Sequence, residues 1–306
     1  MKNNVEEALY LNLLTDFGFK RVFANEERKI LLISLLNAIL GDRETVKDIY
    51  YLQTEQLGEK NENRRAVYDI HCKNEREEYL IIEMQIGKQL HFMDRSLYYV
   101  TFPIQAQAKK GKWNYALKPV YHIGILDFIH DRDSEYYLNR YSLINEKKFT
   151  KISSTLNFIT IELPKFRKTI EECDGILDLW VYCFRNLPKM RERPTQLKGD
   201  IFDFLFELTD MNRFTTSELD AYRAYRRSSE QYDTVELIAE CSLQEGLQEG
   251  WKRGREEGLE DGLRKGLQKG KIEGMVEIAR NLRKMNFPIA DIAEATGFTP
   301  EQIKQL

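Results

Sequence analysis

The stretch RRAVYDIHCKNEREEYLIIEMQ, residues 64–85, constrains the fold more than any other part of the chain. Apolar and β-branched residues cluster at 66–72 and again at 79–86, on either side of a charged break through Asn74, Glu75, Arg76 and Glu77. That is the pattern of two strands joined by a turn. Two acids lie inside the apolar runs: Asp69 interrupts the first, and Glu83 follows Leu80, Ile81 and Ile82 in the second. Burying an unpaired carboxylate costs on the order of several kcal/mol, so each acid needs a compensating partner. One divalent cation with oxygen ligands would serve both, since side chains on adjacent strands can converge on one ion and leave positions for water and a phosphate. A structural reading is also open, in which the same acids are salt-bridged to Arg64, Arg65 or Lys20.

The chain of 306 residues is long enough for one large domain or two smaller ones. Thr15 and Asp16 are N-cap residues ahead of a helical stretch, residues 25–27 mark a second start, and Ile30, Leu32, Ile33, Leu35, Leu36, Ile39 and Leu40 form an apolar stripe stopped by Gly41. A strand is expected at 46–52. Residues 93–110 read as an amphipathic helix in which Pro103 predicts a kink or break. The apolar run KPVYHIGILDF reads as a strand, followed by strands at 135–144 and 155–163, and then by helices at 176–187, 201–208 and 217–232.

From Gly246 the composition changes. Glycine recurs at every fourth position, Gly246, Gly250, Gly254, Gly258, Gly262, Gly266, Gly270 and Gly274, with charged residues and glutamines in most of the gaps. On a helix this spacing drifts by about 40° per step and gives a slowly spiralling stripe where another backbone could approach in a right-handed sense. Glycine costs a helix about 0.8–1 kcal/mol against alanine, so either a partner compensates or the segment is a charged spacer. The charges exclude a membrane-embedded GxxxG helix. The end of the chain reads as three short helices with helix-turn-helix spacing: Pro288 starts the second, Gly297 ends it, and Thr299 with Pro300 starts the third. Ile289, Ile292, Ala293, Ile303 and Leu306 form its apolar seam, but the last helix offers little positive charge to phosphates.

The net charge of -3 argues against coating nucleic acid by bulk electrostatics and leaves room for a local basic groove. Cys72, Cys173, Cys183 and Cys241 show no metal-binding or disulfide spacing and are read as reduced. The first ten residues lack the pattern of a signal peptide, and the apolar run 30–40 is too short to span a bilayer. A cytoplasmic protein is expected.

Several motifs together resemble one family. They are TDFGFKRVF at 15–23, YDIHC with Asp69, LIIEMQ with Glu83 and Gln85, DRSLYYVTFPIQAQAKKG with Arg95 and Gln107, and KPVYHIGILDF. In these the chain resembles the recombination-promoting nucleases, also described as PD-(D/E)XK putative transposases, over roughly residues 10–130 in motif detail. The glycine repeat and the terminal helices are similar to what such proteins carry at their C-termini. The resemblance implies an α/β restriction-endonuclease-like core, a mixed central sheet flanked by helices, with a C-terminal all-α extension. Residues 1–170 would form the nuclease-like domain, 171–240 a helical extension, 241–275 the repeat as helix or linker, and 276–306 the terminal module.

The implied activity is divalent-metal-dependent, Mg²⁺ or another divalent cation serving an endonuclease that hydrolyses DNA phosphodiester bonds in recombination or transposition. Asp69 and Glu83 match the family's metal ligands, the carbonyl of Met84 completes the shell, and Gln85 stands where the wider superfamily holds lysine. Gln85 can orient a water but carries no charge, so Lys20 or Lys88 is expected to supply the cation. Asp16 is a further acid at the site or an N-cap, and His71 shares a strand face with Asp69. Arg95, Lys88, Lys109 and Lys110 are the expected DNA contacts, and residues 246–274 the expected route to a homo-oligomer. Two other readings stay open. One is a nuclease-fold DNA-binding module of weak or no catalysis, favoured by Gln85; the other is an interaction protein assembled through the glycine repeat.

Overall fold

The computed structural model of the chain describes residues 8–41, 45–56, 66–232 and 235–306, with the side chains of 225–241 and 244 outside that description. Arg64, Arg65 and the side chain of Cys241 therefore lie outside that description, and Cys72, Cys173 and Cys183 are free thiols.

Helix α1 (Asp16–Phe23) is capped by Thr15, whose Oγ1 accepts from the Gly18 amide at 3.0 Å. Asp16 is thus the first helical residue and not the cap. Gly18 is required here, because a Cβ at that position would stand 2.0 Å from the carbonyl oxygen of Asn12. A short turn capped by Asn25 leads into α2 (Lys29–Leu40), which ends at Gly41 with φ 68°. The chain then forms β1 (Ile49–Tyr51), β2 (Glu55–Gln56), β3 (Ala66–Val67), β4 (Ile70–Asn74), β5 (Tyr79–Gln85), α3 (Phe92–Gln105), β6 (Val120–Leu126), β7 (Leu138–Ser142) and β8 (Leu156–Glu162). Helices α4 (Ile176–Asn186), α5 (Asp200–Thr209) and α6 (Thr216–Tyr232) follow.

Six strands make one mixed sheet in the order β1-β4-β5-β6-β8-β7, and β2 pairs with β3 in a separate ribbon. Strands β5, β6 and β8 run parallel, and the other pairs are antiparallel. A parallel pair needs a crossover, which α3 supplies between β5 and β6. One sheet face, with Ile70, Leu80, Ile82, Ile123 and Ile159, is buried under Phe19 and Phe23 of α1, Leu32 and Leu35 of α2, Trp180 and Phe184 of α4, and Phe202 of α5. Helices α4 and α5 therefore share the core of the N-terminal helices. The other face, with Ile81, Val120 and Phe158, is covered by Tyr99, Val100 and Phe102 of α3.

Two elements depart from the sequence reading, each for a visible reason. The strand expected at 66–72 is two strands, broken at Tyr68 and Asp69, where the Asp69 side chain takes a backbone role described below. The helix expected at 93–110 stops at Gln105. Pro103 has no N–H for the carbonyl of Tyr99, which instead accepts from the Tyr68 hydroxyl at 3.1 Å, and the chain leaves the helix through tight turns from Gln107 to Ile104 and Ala108 to Gln105.

Backbone contacts divide the chain into two compact units, residues 1–241 and 242–306. The repeat lies in α7 (Val235–Lys284), a single 50-residue helix that absorbs the first of the three terminal helices, followed by α8 (Ile289–Thr296) and α9 (Pro300–Gln305). Ala279, Ile292 and Ile303 form the core of this end, with Ala293 and Leu306 against it. Ile289 does not join the seam; it opens α8 and is 38% exposed. Thr299 and Gln302 form a reciprocal capping box.

The crowding at Gly18 sets a stability test. Gly18→Ala should lower the free energy of unfolding by about 3 kcal/mol or more, because the obstructing atom is backbone and cannot rotate away. A denaturant midpoint that does not move would show that α1 can shift without loss.

Candidate active site

The pairing of β4 with β5 ends at Ile70 opposite Ile82, while β6 stays paired with β5 through Leu126 opposite Gln85. Among the described residues, the last three of β5, Glu83, Met84 and Gln85, thus have an edge without a strand partner. Backbone groups alternate sides along a strand. Gln85 offers its carbonyl to Asp127 on the β6 side, at 3.0 Å, so the Met84 peptide groups face the open edge. There Asp69 takes the place of the missing strand: its Oδ2 accepts from the Met84 amide at 2.8 Å. A carboxylate is so fixed beside the end of β5.

Burial pushes the Asp69 carboxyl up to about 6. The Met84 amide pulls it down, the negative charge of Glu83 raises it, and Lys20 and Asp16 act in opposite senses. Lys20 and Asp16 are themselves an ion pair at 2.6 Å, one turn apart on the surface of α1. Lys20 is therefore near enough to be felt by Asp69 while it is ion-paired with Asp16.

Glu83 is 4% exposed and lies on the face covered by α3. Its Oε2 accepts from Arg95 Nη2 at 3.1 Å, and the same Nη2 donates to Gln85 Oε1 at 3.0 Å. Gln85 in turn donates to the Ile86 carbonyl at 3.1 Å. Arg95 lies over the rings of Tyr99 and Phe92, 5.5 and 5.8 Å from their centroids, and its buried Nε has no hydrogen-bond partner among the described residues. Gly124 on β6 makes room for this arrangement, since a Cβ there would come within 2.8 Å of the Phe92 ring. Beside them His122 of β6 is buried, with Nε2 3.5 Å from Glu83 Oε2, too far for a hydrogen bond.

The structure thus brings together Asp69, Glu83, Met84 and Gln85, and sets Asp16 and Lys20 close by. The cation it places between Glu83 and Gln85 is Arg95, expected from sequence only as a DNA contact, in place of Lys20 or Lys88. Lys88 lies half-buried between β5 and α3. Lys109 and Lys110 are exposed beyond the end of α3, and Gln107 is a clamp whose side chain bonds both the amide and the carbonyl of Lys118, at 2.7 and 3.3 Å. His71 belongs to the core: it sits between Tyr68 and Tyr79, its Nδ1 meets the Gln53 carbonyl at 2.9 Å, and burial lowers its pKa. Sequence reasoning gave Arg95 to DNA and missed its place between Glu83 and Gln85, and it missed His122 altogether. The available signals were an arginine early in the helix that crosses over the Glu83 strand and a lone histidine in an apolar strand.

Among the described residues no three His, Cys, Asp or Glu side chains form a metal-binding group. The available donors are two carboxylates and a peptide carbonyl, which are hard oxygen ligands.

The raised Asp69 carboxyl has a consequence in the metal-free protein. The folded chain holds this proton more tightly than the unfolded chain, whose carboxyl titrates near 3.8. The contribution to stability is therefore full below about pH 4 and is lost as pH rises through about 6, a change on the order of 3 kcal/mol. Asp69→Asn should abolish that loss in chelator-treated protein. Equal pH slopes for the two proteins between about pH 4 and 7 would contradict it.

No curated protein and no solved structure gives a significant match to the chain. Among the described residues no helix is long and apolar enough to cross a membrane. One family does match: the sequence model of the PD-(D/E)XK nuclease family transposases aligns with residues 13–240. That span takes in the mixed sheet, its flanking helices and the acids on β5 and before β4, so the chain belongs to the PD-(D/E)XK nuclease family of transposases and its function is nuclease-like.

Proposed function

We propose that the chain is a divalent-metal-dependent DNA endonuclease whose site is Asp69, Glu83 and the Met84 carbonyl. The observation that carries this reading is the placement of Asp69 on the open edge of β5 next to Glu83, where burial and the negative charge of Glu83 hold the Asp69 carboxyl in a state that a cation would relieve. Three hard oxygens on the end of one strand and beside it fit Mg²⁺, with room left for water and substrate. When bound, the ion would supply polarisation of a phosphoryl oxygen and acidification of a water.

The chain's own residues do the rest. Gln85 holds Arg95, and Arg95 supplies the positive charge that the strand lacks. Moved from Glu83 to a phosphate oxygen, its guanidinium stabilises charge that develops on the phosphoryl group. The phenyl ring of Phe92 and the aliphatic surroundings of β6 exclude bulk water behind Glu83. DNA reaches the site along the open edge, with Lys88, Lys109 and Lys110 as its flanking phosphate contacts.

Asp69→Asn and Glu83→Gln should each abolish Mg²⁺-dependent cleavage of plasmid DNA, and Arg95→Ala should reduce it by about 100-fold or more. Folded Asp69→Asn protein that cleaves at the rate of the parent would remove the nuclease site from this edge.

A second part of the proposal concerns assembly. Leu243, Leu247, Trp251, Leu259, Leu263 and Leu267 lie on α7 at a four-residue spacing in which Arg255 takes one place, and are each at least 65% exposed. Each glycine of the repeat would accept a Cβ without contact, so nothing among the described residues accounts for them. Two copies of α7 placed antiparallel, with Gly262 of each opposite Leu263 of the other, are self-complementary. At about 100° per residue Lys252 and Glu273 both fall close to this contact line, at the same height on the two copies, and meet as opposite charges. Leu259 and Leu263 each meet a glycine, Gly266 and Gly262. Parallel pairing in register would set every charge against its own kind. The residues support an antiparallel homodimer through 246–274. In sedimentation, Lys252→Glu should shift the protein toward monomer, and adding Glu273→Lys should restore the dimer. A dimer that survives the first reversal, or a monomeric parent, would exclude this pairing.

A further inference from the structure

Between Arg95 and Leu126 the chain has no aspartate or glutamate, although acids outnumber bases in the whole sequence. The same stretch holds Arg95, Lys109, Lys110, Lys112 and Lys118. Four of these cations lie in the segment that joins the end of α3 to β6. This segment is a built feature. Gln107 pins its two ends together through the amide and carbonyl of Lys118, and the Asn114 side chain accepts from the Ala116 amide at 3.2 Å, closing a turn around Tyr115.

Two aromatic residues sit among the lysines. The rings of Trp113 and Tyr115 are 4.7 Å apart and inclined by 34°, and Tyr115 is 77% exposed. Tyr115 has φ 57°, in the left-handed region that a bulky side chain rarely adopts. The fold thus holds a large apolar ring in water, on a strained backbone, with a second ring beside it and lysines on both sides. Burial does not reward that placement in this chain. Strain of this kind concentrates where function requires a fixed presentation.

We infer that the 106–118 segment is a binding surface for single-stranded DNA, with Trp113 and Tyr115 as a stacking platform for unpaired bases and the lysines as phosphate contacts. Lysines alone would suit any polyanion. The exposed ring faces select a partner with accessible flat apolar groups alternating with negative charge, which describes unpaired nucleotides and not the closed stack of a duplex. The segment begins roughly 15 Å along α3 from Arg95, at the rise of an α-helix, so a strand entering the proposed nuclease site could reach both. The inference deepens the nuclease reading and rests on it for the identity of the polymer.

The test measures binding of the full chain in chelator, where no metal-dependent cleavage occurs, using labelled oligothymidylate, oligouridylate and a blunt DNA duplex. Oligothymidylate should bind more tightly than the other two and quench tryptophan fluorescence, and the quenching should be smaller in Trp113→Leu. Tyr115→Gly is the discriminating variant, because glycine accepts the left-handed φ and the fold should hold or gain stability. It should weaken oligothymidylate binding by about tenfold or more and leave duplex binding within about twofold. Oligothymidylate affinity unchanged in both variants would overturn the platform. Equal losses for single strand and duplex, or tighter binding of oligouridylate, would overturn the assignment to single-stranded DNA. Failure of the nuclease reading is distinguishable from these outcomes, since it would show as unchanged Mg²⁺-dependent cleavage in Asp69→Asn, while the platform is read from binding in chelator.

Discussion

The hydrogen bond from the Met84 amide to the Asp69 carboxylate is the contact on which the site depends. Had β4 continued in the register set by Ile70 and Ile82, Asp69 would stand directly opposite Glu83, and two like charges would face each other across adjacent strands. The chain avoids this by leaving the ladder at Tyr68 and Asp69. The side chain of Asp69 then satisfies the amide that a β4 carbonyl would have bonded. One break therefore does three things: it ends the pairing, keeps a buried donor satisfied, and leaves an acid at an open edge beside a second acid.

Around that edge the positive charge comes from a helix. Arg95 reaches down from α3 to Glu83 and Gln85 through one nitrogen. A lysine at position 85 would point its ammonium toward that guanidinium, so the neutral Gln85 and the helical Arg95 form a compensated pair. This accounts physically for the departure of the LIIEMQ motif from the superfamily pattern. It also changes what a substitution at Glu83 means. Removing that carboxylate deletes a proposed ligand and at the same time deprives a partly buried arginine of its charged partner, whereas removing Asp69 relieves repulsion.

Much of this was legible in the sequence. The order of strands and helices follows from the period of the apolar residues, and the caps at Thr15 and Thr299 follow from their side chains. The two acids were visible because an acid inside an apolar run is unusual. What the sequence hid depends on contacts between distant residues. The end of α3 is set by Pro103 together with Tyr68, thirty-five positions earlier, whose hydroxyl takes the carbonyl that proline leaves unbonded. Arg95 reads as a surface charge beside Asp94 until α3 is laid over β5. His122 is one histidine among apolar residues until the parallel pairing of β5 and β6 sets it beside Glu83. Local periodicity cannot report any of these, because each is decided by which elements become neighbours.

The charge distribution makes the same point at larger scale. A net charge of -3 describes the whole chain, yet no acid lies between residues 95 and 126. At physiological ionic strength a fixed charge acts over about 8 Å, so a polyanion close to that stretch feels its cations and little of the acids beyond. Net charge then governs long-range approach, which is weak here, while local contacts govern affinity. An enzyme built this way would bind nucleic acid through a few phosphates and stacked rings. The salt dependence of its binding should reflect the handful of lysines beyond α3 and not the balance of the 306 residues.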